Sequence, residues 1–344
     1  MRTNTSADPL VDLTHDVVVV GGGAAGLSGA LTVSRAGRSV VVVDSGEPRN
    51  APADAVHNYL GSEGVAPAEL LARGRAEVSG YGGRAVEGLV STVRRLDAGA
   101  DGVSGAGDPD DDGDTARFEV HLADGRTLRA RRLLVTTGLL DELPDVPGLA
   151  ERWGHDVLHC PFCHGHEVRG QAVGVLATGP LSVHQALMWR GWTDDVTLFL
   201  NGAVEPDEQQ WEQLAARDVA VVDERVTELV LTDDRVSGVR LGDGRVVPRQ
   251  VLVTGTGLTA RAPFLEALGL PLEDMEMAGA VVARRVPSGM TGSTTVPGVW
   301  VAGNVTDPMA QVIVAAAAGL MSGAAIVGDL LAEETALAVS RRRG

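Results

Sequence analysis

Cysteine is nearly absent from this chain. Two occur in 344 residues, Cys160 and Cys163, and a single close pair excludes the many-bridged scaffold of a small secreted domain. Positive charge is scarce too: 29 basic residues, all arginine, stand against 46 acidic ones, for a formal net charge of −17. A surface of that sign repels nucleic-acid phosphates and anionic lipid, so neither is an expected partner. The lack of lysine, beside heavy use of Ala, Gly and Val, reads as coding bias rather than chemistry. The opening "MRTNTSADPLVDLTHD" has no basic cluster followed by an apolar core; it does not read as a secretion signal, and a cytoplasmic location is expected. Only one apolar run approaches membrane length, "VIVAAAAGLMSGAAIVGDLL" over 312–331. Its Gly and Ala content and its context make it a helix expected to pack inside a domain rather than span a bilayer.

What is present is enough apolar residue, 44%, to bury a large core in one big domain or two. "DVVVVGGGAAGLSGALTVSRAGRSVVVVD" (16–44) reads as strand, glycine turn, Ala/Leu helix and second strand, a βαβ unit. Gly21, Gly23 and Gly26 fill G-x-G-x-x-G, and Asp44 closes the second strand. Such glycines allow a tight turn, close approach of a pyrophosphate and close helix packing, while the acid can hold adenosine ribose hydroxyls. The alternative is a crossover that binds nothing. The acidic stretch 97–115 has too little apolar content to pack and is expected as a surface loop. Around it, "GLVSTVRRL", "ARFEVHLADGRTLRA" and "RRLLVTTG" read as strands, with a hairpin turn at Asp124-Gly125. "LPDVPGL" (143–149) is a hinge candidate. "QAVGVLATGPLSVHQALMWRGWTDDVTLFLN" (171–201) repeats the outline of the first unit as a second nucleotide-binding fold. The terminal "RRRG" is expected to fray.

Both cysteines lie in "HCPFCHGHEV" (159–168), with His159, His164 and His166 around them. Metal site, structural disulfide and redox pair are all possible for such a cluster. Five candidate ligands within eight residues are too crowded for usual zinc spacing. A static bridge closing so short a loop restrains little chain. A C-x-x-C pair lowers thiol pKa and favours reversible exchange, which points to redox chemistry.

In this order the pieces resemble the low-molecular-weight thioredoxin reductase family of flavoproteins over nearly the whole chain. The resemblance rests on the N-terminal fingerprint, the C-x-x-C opening the central region, and the C-terminal "PGVWVAGNV…Q". It implies an α/β fold of two interleaved Rossmann-like domains: an FAD domain over 1–147 and 258–344, split by a central NADPH-domain-like insert at 148–257. It also implies FAD as cofactor and a homodimer. Gly21, Gly23 and Gly26, with Ala24 and Ala25, match the FAD pyrophosphate turn, and Asp44 the ribose acid. Arg49, Asn50 and Val312 join the same cofactor set. Asn58 aligns with an Asn beside the flavin, Thr137 and Gly138 with a strand-end turn, and Gln311 with the start of the last helix. Gly303 and Asn304 match the family's "AGD", so Asn304 replaces an Asp that bonds the ribityl chain.

By the same resemblance Cys163 faces the flavin and Cys160 exchanges with substrate. Two departures from the family pattern bear on function. The proton-donating Asp after the second cysteine is here His164, and an imidazole can take a proton from an incoming thiol as well as return one. In the second nucleotide fold only Gly179 of G-x-G-x-x-A survives, with Ala177 and Ser182 at the other two positions. The "HRR" grip on the NADPH phosphate aligns with Leu200, Asn201 and Gly202, which offer no cation. Together these resemble the dithiol oxidases that close disulfides in gliotoxin- and holomycin-type natural products, with O2 as acceptor and H2O2 as product. The alternatives are a thioredoxin-disulfide reductase fed by NADPH or ferredoxin, and a non-catalytic flavin- or zinc-binding regulator. No role follows for His159 or His166, and His184 reads as ordinary helix surface or core.

Overall fold

A computed structural model describes residues 13–96 and 116–343; the acidic 97–115 stretch and the first twelve residues lie outside them. The valine run forms β1 (Thr14–Val20), in which Val17, Val18 and Val19 are fully buried. An uninterrupted apolar strand of this kind is one covered on both faces. Helix α1 (Ala24–Arg35) returns the chain to β2 (Val40–Asp44), parallel to β1 with Val17 opposite Val40. The βαβ unit read from the sequence is therefore formed with its acid at the strand end. After α2 (Pro67–Gly80) come β3 (Arg84–Glu87), β4 (Val90–Arg95), β5 (Phe118–Leu122) and β6 (Thr127–Val135). The β5–β6 hairpin turns at Asp124-Gly125, where Gly125 takes φ +91°. The sheet order is β3-β2-β1-β6-β5-β4, and β6 also pairs in parallel with a strand from near the end of the chain, Val299–Val301.

Between those two halves the chain builds a second body. It passes through β7 (Leu139–Glu142), β8 (Val157–Leu158), α3 (Pro161–His164), β9 (Val173–Leu176), α4 (Ser182–Trp189) and β10 (Val196–Phe199). Then come α5 (Glu208–Ala216), β11 (Ala220–Val222), a meander of β12 (Val226–Thr232), β13 (Arg235–Leu241) and β14 (Val246–Val247), and β15 (Val251–Thr254). Strands β11-β10-β9-β15-β8 form a parallel sheet with its own core around Trp189 and Leu198. The outgoing β7 pairs antiparallel with the returning β16 (Gly257–Ala260), Asp141 opposite Leu258, so the two chain crossings are hydrogen-bonded to each other. The sequence-read boundary at 147 falls in the loop after β7; the one at 257 falls on the first residue of β16.

β17 (Glu273–Met277), β18 (Ala280–Arg285), β19 (Val299–Val301) and α6 (Val312–Arg343) complete the chain. α6 crosses α1 at small residues: a Cβ on Gly319 would lie 1.9 Å from the Ala25 carbonyl oxygen, and one on Gly323 2.7 Å from that of Gly29. Only one face of α6 is buried this way. Val314, Leu320, Met321 and Leu331 remain exposed, so the apolar run is not enclosed as the sequence suggested. The C-terminal arginines do not fray: Arg341–Arg343 continue the helix. Its last turns are anchored by Glu333 and Glu334, paired with the buried Arg131 and Arg132 and with Arg38.

Candidate active site

The turn between β1 and α1 explains its glycines one by one. Gly21 takes φ +106°, and a Cβ there would meet the Thr136 carbonyl oxygen at 2.5 Å. A Cβ on Gly26 would sit 1.9 Å from the Gly21 carbonyl oxygen. Gly26 therefore lies behind the turn, serving close packing rather than lining a site. Gly23 is different: nothing stands within 4 Å of where its Cβ would be. It is the N-cap of α1, and no side chain satisfies the first-turn amides. Uncapped amides facing open space form an anion cradle.

That space is a cavity of about 1440 Å3 between the two bodies. Gly21, Gly23, Ala24 and Ala25 line one end, with Asp44, Arg49 and Asn50 beside them. Thr137 and Gly138 face it from the end of β6, and Gly303, Asn304, Gln311 and Val312 from the approach to α6. Two buried polar atoms on the wall, Thr137 Oγ1 and Arg261 Nε, have no partner among the described residues. An anion cradle, a strand-end acid and waiting donors around one cavity fit a dinucleotide such as FAD. Arg261 was not singled out in the sequence, where nothing marks it; only the fold brings it beside Glu47 and Gly138.

Three expected cofactor contacts are placed otherwise. Asn58 is exposed and does not line the cavity; its Nδ2 donates to the Phe162 carbonyl oxygen at 2.6 Å. Arg49 lines the cavity, but its guanidinium is held by Asp141 in a two-point ion pair of 2.6 and 2.7 Å, and Asp141 also accepts from Thr256 Oγ1. Asn304 spends its amide nitrogen on the carbonyls of Asp307, Pro308 and Ala310, at 3.1, 3.3 and 2.9 Å. Only its Oδ1 is left for a cofactor. A carboxylate could not donate to those carbonyls, so the amide is required by its own loop. Asn304→Asp is expected to cost about 1–3 kcal/mol through unsatisfied, repelling acceptors and to weaken FAD retention. Thermal unfolding and FAD titration check this; wild-type values in both would refute it.

The dithiol sits on α3. Cys160 is the N-cap in extended conformation, Pro161 begins the helix, and the i, i+3 spacing brings the two Sγ atoms to 2.8 Å as free thiols. The turn can close because residue 165 is glycine: a Cβ there would meet the Pro161 carbonyl oxygen at 2.5 Å and Trp192 at 2.8 Å. Phe162, more than half exposed, stands edge-on to Trp192, with ring centres 5.6 Å apart. The preceding His159 stacks on Trp153, and its carbonyl accepts from Gln185 of α4. Cys160, Cys163 and His164 all face the cavity, together with His57, His159 and His184. His184, which reads as an unremarkable helix residue in the sequence, reaches the cavity only because α4 packs under the dithiol turn.

The charge balance of the pair follows from its geometry. The Cys163 thiol lowers the pKa of Cys160 to about 7, helped by the Phe162 and Cys163 amides and by Arg49 against the effect of burial. The proton that remains is held tightly: the Cys160 sulfur, and then burial, push Cys163 up. The reduced pair thus gives up one proton near neutrality and keeps the second. Burial lowers His164, with His57 adding to it and Glu167 opposing, so its imidazole is neutral at pH 7 and able to accept a proton. Burial and then Arg49 bring His159 to about 4. His166 is exposed. Among the described residues no three His, Cys, Asp or Glu side chains converge as metal ligands.

In the second nucleotide fold the β9–α4 loop is closed on itself. Ser182 Oγ accepts from the amides of Thr178 and Gly179, at 3.1 and 3.4 Å, and Pro180 has no N–H to offer. Where a phosphate grip would lie, Leu200 is buried in the core, and Asn201, at φ +53°, accepts the Val226 amide on its Oδ1. The amides that could cradle a phosphate are partly spent, and the 200–202 turn carries no cation.

Comparison with known proteins gives one family. The pyridine nucleotide-disulphide oxidoreductases match residues 15–319. The chain is 30% identical to the thioredoxin reductase aclD of Aspergillus oryzae over 328 residues, 93% of this chain and 98% of that protein. It is 32% identical to the thioredoxin reductase tcpT of Claviceps purpurea over 265 residues, 74% of this chain and 77% of the other. The crystal structure of HlmI superposes with a TM-score of 0.83 at 43% identity, covering 95% of this chain and 96% of HlmI.

Proposed function

Because the chain belongs to the pyridine nucleotide-disulphide oxidoreductase family, we propose that it works in the disulfide-forming direction: a dithiol oxidase that closes a disulfide in a small-molecule natural product, with dioxygen as acceptor and hydrogen peroxide as product. At the coarser level it is an FAD-dependent thiol–disulfide oxidoreductase. The observation that carries the finer reading is the self-closed β9–α4 loop, with Ser182 on the Thr178 and Gly179 amides and no cation at 200–202. A reductase fed by NADPH needs a nicotinamide nucleotide seated there; an oxidase does not. His164 after the second cysteine supports the same direction.

The residues act as follows. Neutral His164 takes the proton of a substrate thiol. The thiolate attacks Sγ of Cys160, breaking the Cys160–Cys163 bond, forming a mixed disulfide and leaving Cys163 as thiolate. His164 passes that proton to the Cys163 thiolate, whose pKa is raised, and, neutral again, takes the proton of the second substrate thiol, which attacks the substrate sulfur of the mixed disulfide and closes the product. Cys160 departs as a thiolate, which a pKa of about 7 makes a good leaving group. Two electrons have then passed from substrate to the enzyme pair. FAD, when bound, supplies the two-electron acceptor that reoxidises the pair and delivers those electrons to dioxygen. Gly23, the first-turn amides of α1, Asp44 and Thr137 are the groups that would hold it. The reading includes a homodimer, supported by the exposed apolar face of α6 at Val314, Leu320, Met321 and Leu331.

Anaerobic reduction in parallel by dithiothreitol and by NADPH tests the proposal. Dithiothreitol is expected to bleach the flavin and micromolar NADPH to leave it oxidised, with air restoring the colour and one peroxide formed per dithiol consumed. Rapid, saturable bleaching by NADPH would return the protein to the reductases.

A further inference from the structure

The loop 56–65 is a small structure of its own beside the redox turn. Val56 and Val65 close its neck, the Val56 amide donating to the Val65 carbonyl at 2.8 Å and the Gly64 amide to Val56 at 2.9 Å. Inside it the Glu63 carboxylate holds two consecutive residues, taking the Asn58 amide on Oε2 at 2.8 Å and meeting His57 Nδ1 on Oε1 at 2.6 Å. Both contacts keep Glu63 below the usual carboxylate range. Thus pinned, Asn58 takes φ +59°, a left-handed conformation that asparagine tolerates better than most residues. That backbone aims its side chain away from the loop.

What it meets is the redox segment. Asn58 Nδ2 donates to the carbonyl of Phe162, the residue inside C-x-x-C that precedes Cys163. One position earlier, His57 Nε2 lies 3.6 Å from Oε1 of Glu167, beyond Cys163. The loop therefore touches the dithiol segment on both sides of Cys163. The Phe162 carbonyl and the Cys163 N–H belong to one planar peptide, so holding the oxygen fixes the direction of the N–H. A donor on that carbonyl also strengthens the same peptide's N–H as a donor; that N–H donates to the Cys160 carbonyl at 3.2 Å and also lowers the pKa of the adjacent Cys160 thiol.

We propose that Asn58 is a positioning residue of the redox centre: by gripping the Phe162–Cys163 peptide it fixes the Cys163 backbone, and with it the thiol that lies 2.8 Å from the Cys160 sulfur, and so keeps that sulfur reactive. The inference rests on the reading of Cys160 and Cys163 as the redox pair. Of the other charged or titratable groups facing the pair, Arg49, Asp141, His159, His164 and His184 stand on other segments; His57, on the same loop, keeps its own contacts to Glu63 and Glu167.

The test is the pH profile of Cys160 alkylation by iodoacetamide in the reduced holoprotein, read by mass spectrometry of the labelled peptide. Asn58→Asp keeps the shape but turns an acceptor toward the carbonyl. Asn58→Gly drops the donor while easing the left-handed backbone, so its fold is retained, with thermal unfolding and FAD content as controls. Both variants are expected to move the alkylation midpoint up by about one pH unit, about tenfold less thiolate below it. A wild-type midpoint in folded Asn58→Gly overturns the inference while leaving the redox reading intact. A wild-type protein whose two thiols alkylate fully without prior reduction, before and after exposure to air, overturns the redox reading and this inference with it.

Discussion

Cys160→Ser is expected to abolish turnover while leaving a protein that binds FAD and, on mild alkalinisation, develops a long-wavelength charge-transfer absorbance. The loss follows because a serine hydroxyl cannot form the mixed disulfide. The absorbance follows from the charge balance of the pair. Cys163 holds its proton chiefly because the Cys160 sulfur beside it is the easier of the two to ionise. Removing that sulfur lets Cys163 fall toward the ordinary thiol value of about 8.5. Cys163→Ser should be equally inactive but give no such band. Absorbance spectra across a pH series, with iodoacetamide profiles of both variants, measure this. A band in Cys163→Ser and none in Cys160→Ser would reverse the roles of the two sulfurs. Turnover surviving in either variant would end the disulfide-exchange mechanism.

His164→Ala should retain FAD and slow dithiol oxidation by about 10²–10⁴-fold at neutral pH, the usual worth of a lost general acid or base. The shape of the pH profile separates this role from a packing defect. Burial lowers His164, so the wild-type imidazole stays neutral, and competent as a base, from neutral pH down to below the ordinary histidine range. The wild-type rate should fall only as pH drops through that depressed value. In His164→Ala the acid limb disappears, and the rate should climb about tenfold per pH unit toward the substrate thiol's own pKa, because the thiol must then ionise unaided. The defect shrinks at high pH. A variant with wild-type kcat/KM at pH 7, or a constant defect at every pH, would assign the histidine to structure alone.

The parts of the site that were legible in the sequence are those whose geometry closes within a few residues. The strand, glycine turn, helix, strand and acid of 16–44 form as read, because a βαβ unit is set by local apolar period and by the φ that Gly21 alone permits. The C-x-x-C pair was legible for the same reason: an i, i+3 spacing on one helical turn brings two sulfurs together whatever surrounds them. The loss of a phosphate grip at 200–202 was legible as a missing cation. Its companion, the Ser182 hydroxyl on two nearby amides, needed the loop's conformation although it spans only five residues, 178–182. The substitution Asn304 for Asp was visible in the sequence, but its reason was not. The sequence suggested a ribityl contact; the loop that the amide serves takes shape only when α6 docks.

The sequence by itself determined the chemistry available to this protein: a dinucleotide turn, one dithiol, and a histidine where a carboxylic acid is expected. Those features are local patterns, and a local pattern survives in one dimension. Tertiary structure alone decided which groups surround that chemistry. Asn58 lies more than a hundred residues from Phe162, and Arg49 some ninety from Asp141; His184 and Arg261 reach the cavity only by the packing of α4 and β16. The physical reason is that hydrogen bonds and charge interactions act over a few ångströms. No spacing in the chain encodes distances closed by the docking of two sheets.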